Sequence, residues 1–182
     1  METPLGPPVS DEHWAPDHIV LARRVLSYAG RLFVERDADG SVLMHSPLAD
    51  MAAVEHRYPA WALGPFGRIE PEFAVPRRPG VYAIVGAGVA RYVGASNDLE
   101  RTFGARYGLG HVSRRDATQR RHEERCRLNR LIVAEAVAGR TVDLYLLPLA
   151  PRSWWGARSG EAPAAVAQEI VTATRPDWHL PE

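Results

Sequence analysis

Two β-rich runs, GVYAIVG from Gly80 and VARYVGA from Val89, are separated only by Ala87-Gly88. So short a spacer leaves room for a tight reversal and for no crossover helix, so the runs pair as an antiparallel hairpin. The segments after the hairpin set the rest of the fold. Ser96 or Asn97 can cap a helix over Asp98–Arg106, which Gly104 weakens, and a Gly- and Arg-rich loop leads into a long amphipathic helix. In that helix Cys126, Leu128, Leu131, Ile132 and Val137 recur at helical spacing and stop at Gly139. TVDLYLLPL reads as a third strand, Pro151–Gly160 as a loop carrying Trp154 and Trp155, and Glu161–Thr174 as a last helix halted before Pro176. The order β-β-α-α-β-α predicts an α+β fold, a small three-stranded mixed or antiparallel sheet flanked by helices.

The part before the hairpin is less regular. Residues 1–12 are Pro-rich and acidic and read as a flexible tail. From Asp17, HIVLARRVLSYAG has apolar residues at helical spacing and ends at Gly30, which predicts a helix. RLFVER and SVLMHS flank DADG, a hairpin signal, and ADMAAVEHR predicts a short helix before a Pro- and Gly-punctuated connector. The expected organisation is a tail (1–12), a helix-plus-hairpin appendage with connector (13–78) and the main domain (79–182).

A chain of 182 residues can bury one proper core, and its 46% apolar content excludes wholesale disorder. No run approaches the roughly 20 apolar residues of a membrane span, and the start has neither a basic nor an apolar signal region, so the expectation is a soluble, cytoplasmic protein without membrane partners. Cys126, the single cysteine, reads as a small apolar helix residue. The formal net charge is zero, yet residues 101–130 hold nine arginines against Asp116, Glu123 and Glu124. Such asymmetry suits a nucleic acid or another polyanion, with Arg106, Arg114, Arg115, Arg120 and Arg121 as the candidate contacts; a solvated helix face with Glu-Arg pairs is the competing explanation.

Several motifs fail on inspection. VGAGVAR imitates a dinucleotide fingerprint, but Arg91 stands where a third glycine belongs and the next run is β-rich. The seven histidines form no HExxH or zinc-ligand spacing, and no GxSxG elbow or Walker loop occurs.

The strongest signal is the pair Gly80-Val81-Tyr82 and Tyr92-Val93-Gly94, with YVGASNDLER, CRLNRLI and EIVTATRPDWH behind it. Over about residues 79–180 the chain resembles the GIY-YIG nuclease superfamily, specifically a bacterial subgroup with a CRxNxLI-type helix and a terminal Pro-x-Trp. The resemblance implies catalytic roles for Tyr82, Tyr92 and Arg101, a structural motif of Gly80, Gly94 and Asn97, and one divalent ion, Mg or Mn, on a carboxylate. Phosphodiester hydrolysis needs an oriented water, neutralised phosphate charge and help for the leaving oxygen, which a tyrosine, an arginine and a metal would supply. Two positions depart from the pattern. Eight residues after Gly94 stands Thr102, so Arg101 fits with one loop residue missing, as Asn97 four residues before it supports. The carboxylate position, nine residues before Pro176, is Ala167. Glu169 is two residues on, about 200° round a helix, and Glu161 is the alternative at the helix start.

The resemblance therefore implies a metal-dependent DNA endonuclease. Two other readings stand beside it: a degenerate domain that binds nucleic acid or a partner, and a fold turned to metal-free small-molecule chemistry. DNA is the expected partner, and homo-oligomerisation is left open.

Overall fold

The structure is a computed structural model, and it describes residues 13–104, 108–151 and 160–179. In chain order its elements are β1 (His18–Leu21), β2 (Arg24–Val34), β3 (Met44–His45), α1 (Val54–Arg57), β4 (Phe66–Gly67), β5 (Ile69–Pro71), β6 (Gly80–Gly86), β7 (Val89–Ser96), α2 (Leu99–Phe103), α3 (Arg114–Ala117), α4 (Glu123–Val137), β8 (Val142–Pro148) and α5 (Pro163–Thr174). The fold is α+β, and from β6 to α5 the order is β-β-α-α-α-β-α, the expected one with the short α3 added in the loop before the long helix. The chain divides into two compact units, and the division does not fall at residue 79.

One unit comprises the described parts of Ala15–Leu32, Pro71–Phe103 and Thr141–Glu182. Its sheet runs β1-β2-β8-β6-β7, antiparallel at every pairing. The three expected strands form the β7-β6-β8 part of it, and β2 extends the sheet beyond β8. Central β6 is buried along its whole length. Because side chains alternate across a strand, Val81, Ala83, Val85 and Val93 point to one face, where they meet Leu26, Tyr145 and the Val166, Ala167 and Ile170 side of α5. Tyr82, Ile84, Tyr92 and Gly94 belong to the other face.

The helix expected from Asp17 to Gly30 is instead the hairpin β1-β2. Ala22 and Arg23 both take left-handed backbone angles, φ 47° and 66°, and Leu21 pairs with Arg24 across them. A two-residue turn of this kind matches the strand twist, but its usual signal is Asn-Gly, so an Ala-Arg turn hides it. Ile19, Leu21 and Leu26 then turn inward while Val20 and Val25 stay exposed, a period of two rather than 3.6. Gly30 is indispensable for a different reason than a helix stop. At φ 94° it sits where the β2-β8 register shifts, and a Cβ there would lie 2.7 Å from Phe73 Cδ2.

The other unit comprises the described parts of Phe33–Glu70 and Gly104–Arg140, with residues 13 and 14. The DADG turn forms as expected: Asp37 N–H donates to Ser41 O, Asp37 Oδ1 accepts from Asp39 and Ser41 N–H, and Gly40 has φ 86°. The short helix expected in ADMAAVEHR is α1. The connector holds β4, which pairs with β3. The core gathers Leu48, Val54, Ala62, Phe66, Val112, Ala117 and Cys126, where burial pushes the Cys126 thiol up to about 11. Asn129 ties this unit together. Fully buried on α4, it accepts from Gly67 N–H at 3.0 Å and donates to Gly67 O and Leu109 O, both at 2.9 Å. The asparagine of CRLNRLI thus satisfies backbone groups that burial would otherwise leave without partners.

Candidate functional site

Tyr82 and Gly94 are direct cross-strand partners, and Tyr92 lies two residues before Gly94 on the same face. Both rings lean over the glycine. A Cβ at position 94 would collide with Tyr82 Cζ, lie 2.5 Å from the Tyr82 hydroxyl oxygen and 2.8 Å from Tyr92 Cε1. The spacing of the two tripeptides is therefore a packing relation: the bare position on one strand seats the tyrosines of both. The ring centroids are 5.9 Å apart, and Phe103 meets Tyr82 edge-on at 5.0 Å, a favoured aromatic geometry. Both tyrosines are buried.

His179 completes the cluster and was not among the expected residues. Its ring stacks on Tyr92 at 4.4 Å and 10°, and its Nε2 accepts from Val93 N–H at 3.3 Å, which leaves Nδ1 to carry the ring proton. The segment that brings it there is held by Trp178 N–H on Arg91 O and by an Arg91–Asp177 ion pair at 2.6 Å. The only sequence hint was a histidine directly after Pro-x-Trp.

Leu99 and Phe103, one turn apart on α2, are its buried side; Arg101, about 200° round from Phe103, is exposed. Thr102, the ungapped alternative, donates to Ser96 Oγ at 2.7 Å. Asp98 caps α2 through Arg101 N–H, while Asn97 is exposed and Gly80 has Leu147 O where a Cβ would sit, 2.6 Å away.

The expected metal carboxylates are bound by Arg24. Ala167 is packed in the α5 core on the sheet face opposite the tyrosines. Glu161 spends both oxygens on Arg24 at 2.7 Å, and Glu169 binds the same guanidinium at 2.9 Å. The Arg24 guanidinium holds the Glu161 carboxyl below its ordinary range and is itself pushed further up. Among the described residues no three His, Cys, Asp or Glu side chains form a ligand set. Glu161 and Glu169, the two candidate carboxylates, are thus both engaged by one guanidinium.

The arginine-rich stretch divides in two. Arg114 is bound to Asp50 and Pro47 O, Arg125 is paired with Asp116, and Arg130 reaches Ala60 O at 2.6 Å. Arg115, Arg120 and Arg121 are exposed and form no ion pair among the described residues; Arg121 Nε points to His122 Nε2 at 3.2 Å. Arg106, Trp154 and Trp155 lie outside the described residues.

No family model, curated protein or solved structure matches this chain.

Proposed function

We propose that this protein binds nucleic acid through Arg115, Arg120 and Arg121, on a GIY-YIG-like framework that serves binding rather than metal-dependent cutting. The observation that carries this reading is the division of the arginine stretch. A solvated face of Glu-Arg pairs would neutralise its arginines locally, whereas these three stand in solvent and form no ion pair among the described residues, beside others consumed by structure. Ala167 in the core and the Arg24 grip on Glu161 and Glu169 support the part of the reading that omits cutting.

Fluorescence anisotropy with a labelled duplex and its single strand, across a salt series, tests it. Affinity should fall with salt at about 0.9 log units per phosphate contacted on the duplex, and the Arg115, Arg120, Arg121 triple alanine variant should flatten that slope. Absence of binding by the unaltered protein at low salt would sink the proposal.

The nuclease reading keeps one specific support: Tyr82, Tyr92 and His179 stand together with hydroxyl and imidazole groups suited to proton transfer. Incubation of plasmid with the protein and Mg²⁺ or Mn²⁺ decides between the two. Cleavage that disappears in Tyr82→Phe would establish the enzyme.

A further inference from the structure

We infer that a groove floored by the stacked rings of His45 and His111 receives one unpaired base of a single-stranded nucleic acid, an assignment that rests on the nucleic-acid reading above. The groove measures about 420 Å³, inside the usual range for small-ligand sites, and is lined by Glu35, Leu43, Met44, His45, Arg68 and His111.

Its floor is the end of an aromatic column. Phe66, fully buried, meets His45 at 6.1 Å, and His45 stacks on His111 at 5.7 Å and 21°. His45 donates from Nε2 to Val112 O at 2.9 Å, which fixes the ring in place and leaves Nδ1 as an acceptor. Among the described residues the column stops at His111, which lines the groove, so the next ring in register would belong to a ligand. Burial, then His45 and Arg68, hold the His111 imidazole below its ordinary range, so it meets that ring uncharged at neutral pH.

The rest of the groove suits a base better than an apolar side chain. Leu43 and Met44 are exposed and offer an apolar wall. Glu35 and Arg68 stand 3.8 Å apart, beyond hydrogen-bond distance, so a carboxylate acceptor and a guanidinium donor are both available to a base edge and its phosphate. The exposed arginines of α3 and of the turn at Arg120–His122 belong to the same compact unit and would carry the flanking backbone. Histidine platforms under splayed bases are an established mode of single-strand recognition, and a duplex, its bases paired, cannot use one.

The test uses the full chain and a labelled 12-nucleotide strand, about the site size of such proteins, beside its duplex and the four 5′-mononucleotides. His111→Ala should weaken single-strand binding about 5- to 150-fold, the span of one stacked base, and leave duplex binding within about twofold. His111→Phe, which keeps a ring, should retain single-strand affinity, and the unchanged duplex binding of His111→Ala shows that it is folded. Equal single-strand binding by His111→Ala and the unaltered protein overturns the groove while the arginine reading stands. Mononucleotides that bind as tightly as the strand overturn the single-strand assignment. Failure of the unaltered protein to bind any nucleic acid overturns both.

Discussion

The two aromatic clusters of this molecule are built on opposite plans. Around Gly94 the rings of Tyr82, Tyr92, Phe103 and His179 fill the space that a missing side chain leaves, and the C-terminal segment is fastened along β7. Around His45 the rings form a column that ends at a groove. The first cluster is closed by its own residues; the second is open to another molecule. A motif that stands out in a sequence can therefore mark the tightest packing, while an open groove is lined by residues that no motif connects.

The comparison breaks first at Gly94. If the closed cluster is a packing unit, Gly94→Ala should cost about 1–3 kcal/mol or more in urea unfolding, because the new methyl meets ring atoms held on both strands. A loss below about 0.5 kcal/mol, the size of an ordinary surface substitution, would show that the tyrosines are free to swing aside. His179→Ala should cost about 0.5–1.5 kcal/mol through the lost ring stack and accelerate amide exchange at Val93. Unchanged exchange would mean that the terminal segment is not held by this ring.

Acid bears on the open cluster through His111, and on His122 outside both clusters. His111 and His122 titrate below the ordinary histidine value near 6.5, burial being the first cause in both. The unfolded chain therefore takes up these protons first. Stability should fall as pH drops through about 6.5 and level off once the folded imidazoles are protonated too. Urea unfolding at pH 7.5 and 5.5 checks this, and the double variant His111→Gln, His122→Gln should reduce the difference; an unaltered difference would place it elsewhere. The smallest effect belongs to Arg24, which lies in neither cluster. Arg24→Gln should leave the urea midpoint close to that of the unaltered protein, since its partners are half exposed and water screens such pairs. Manganese binding that appears only in this variant would show that the guanidinium, not the backbone, keeps Glu161 and Glu169 from a metal.

The legibility of the chain tracks the agreement of local signals. The hairpin of β6 and β7, the turn at Asp37–Gly40, α4 and α5 each combine a residue period with a recognisable stop. The β1-β2 hairpin combines apolar spacing compatible with a helix with a turn of Ala22 and Arg23, which carries no turn signal, and so its sequence points to the wrong element. In the candidate site Tyr82, Tyr92 and Gly94 are legible because one strand register joins them. Asn129 and His179 are not, since their partners are backbone groups that only the folded chain brings near. Nor is the meeting of His45 with His111, which lie on different elements far apart in the chain.

The fastening of Trp178 and His179 to Arg91 and Val93 has a consequence for solubility. In the order β1-β2-β8-β6-β7, strand β7 is an edge, and an edge strand with bare amide and carbonyl groups is a template for joining a neighbouring chain. Arg91 O and Val93 N–H are such groups, and each is already taken by the terminal segment. Shortening the chain before Asp177 would uncover them. The shortened protein should then self-associate as concentration rises, even where its sheet is intact, and light scattering on the two forms would register the difference.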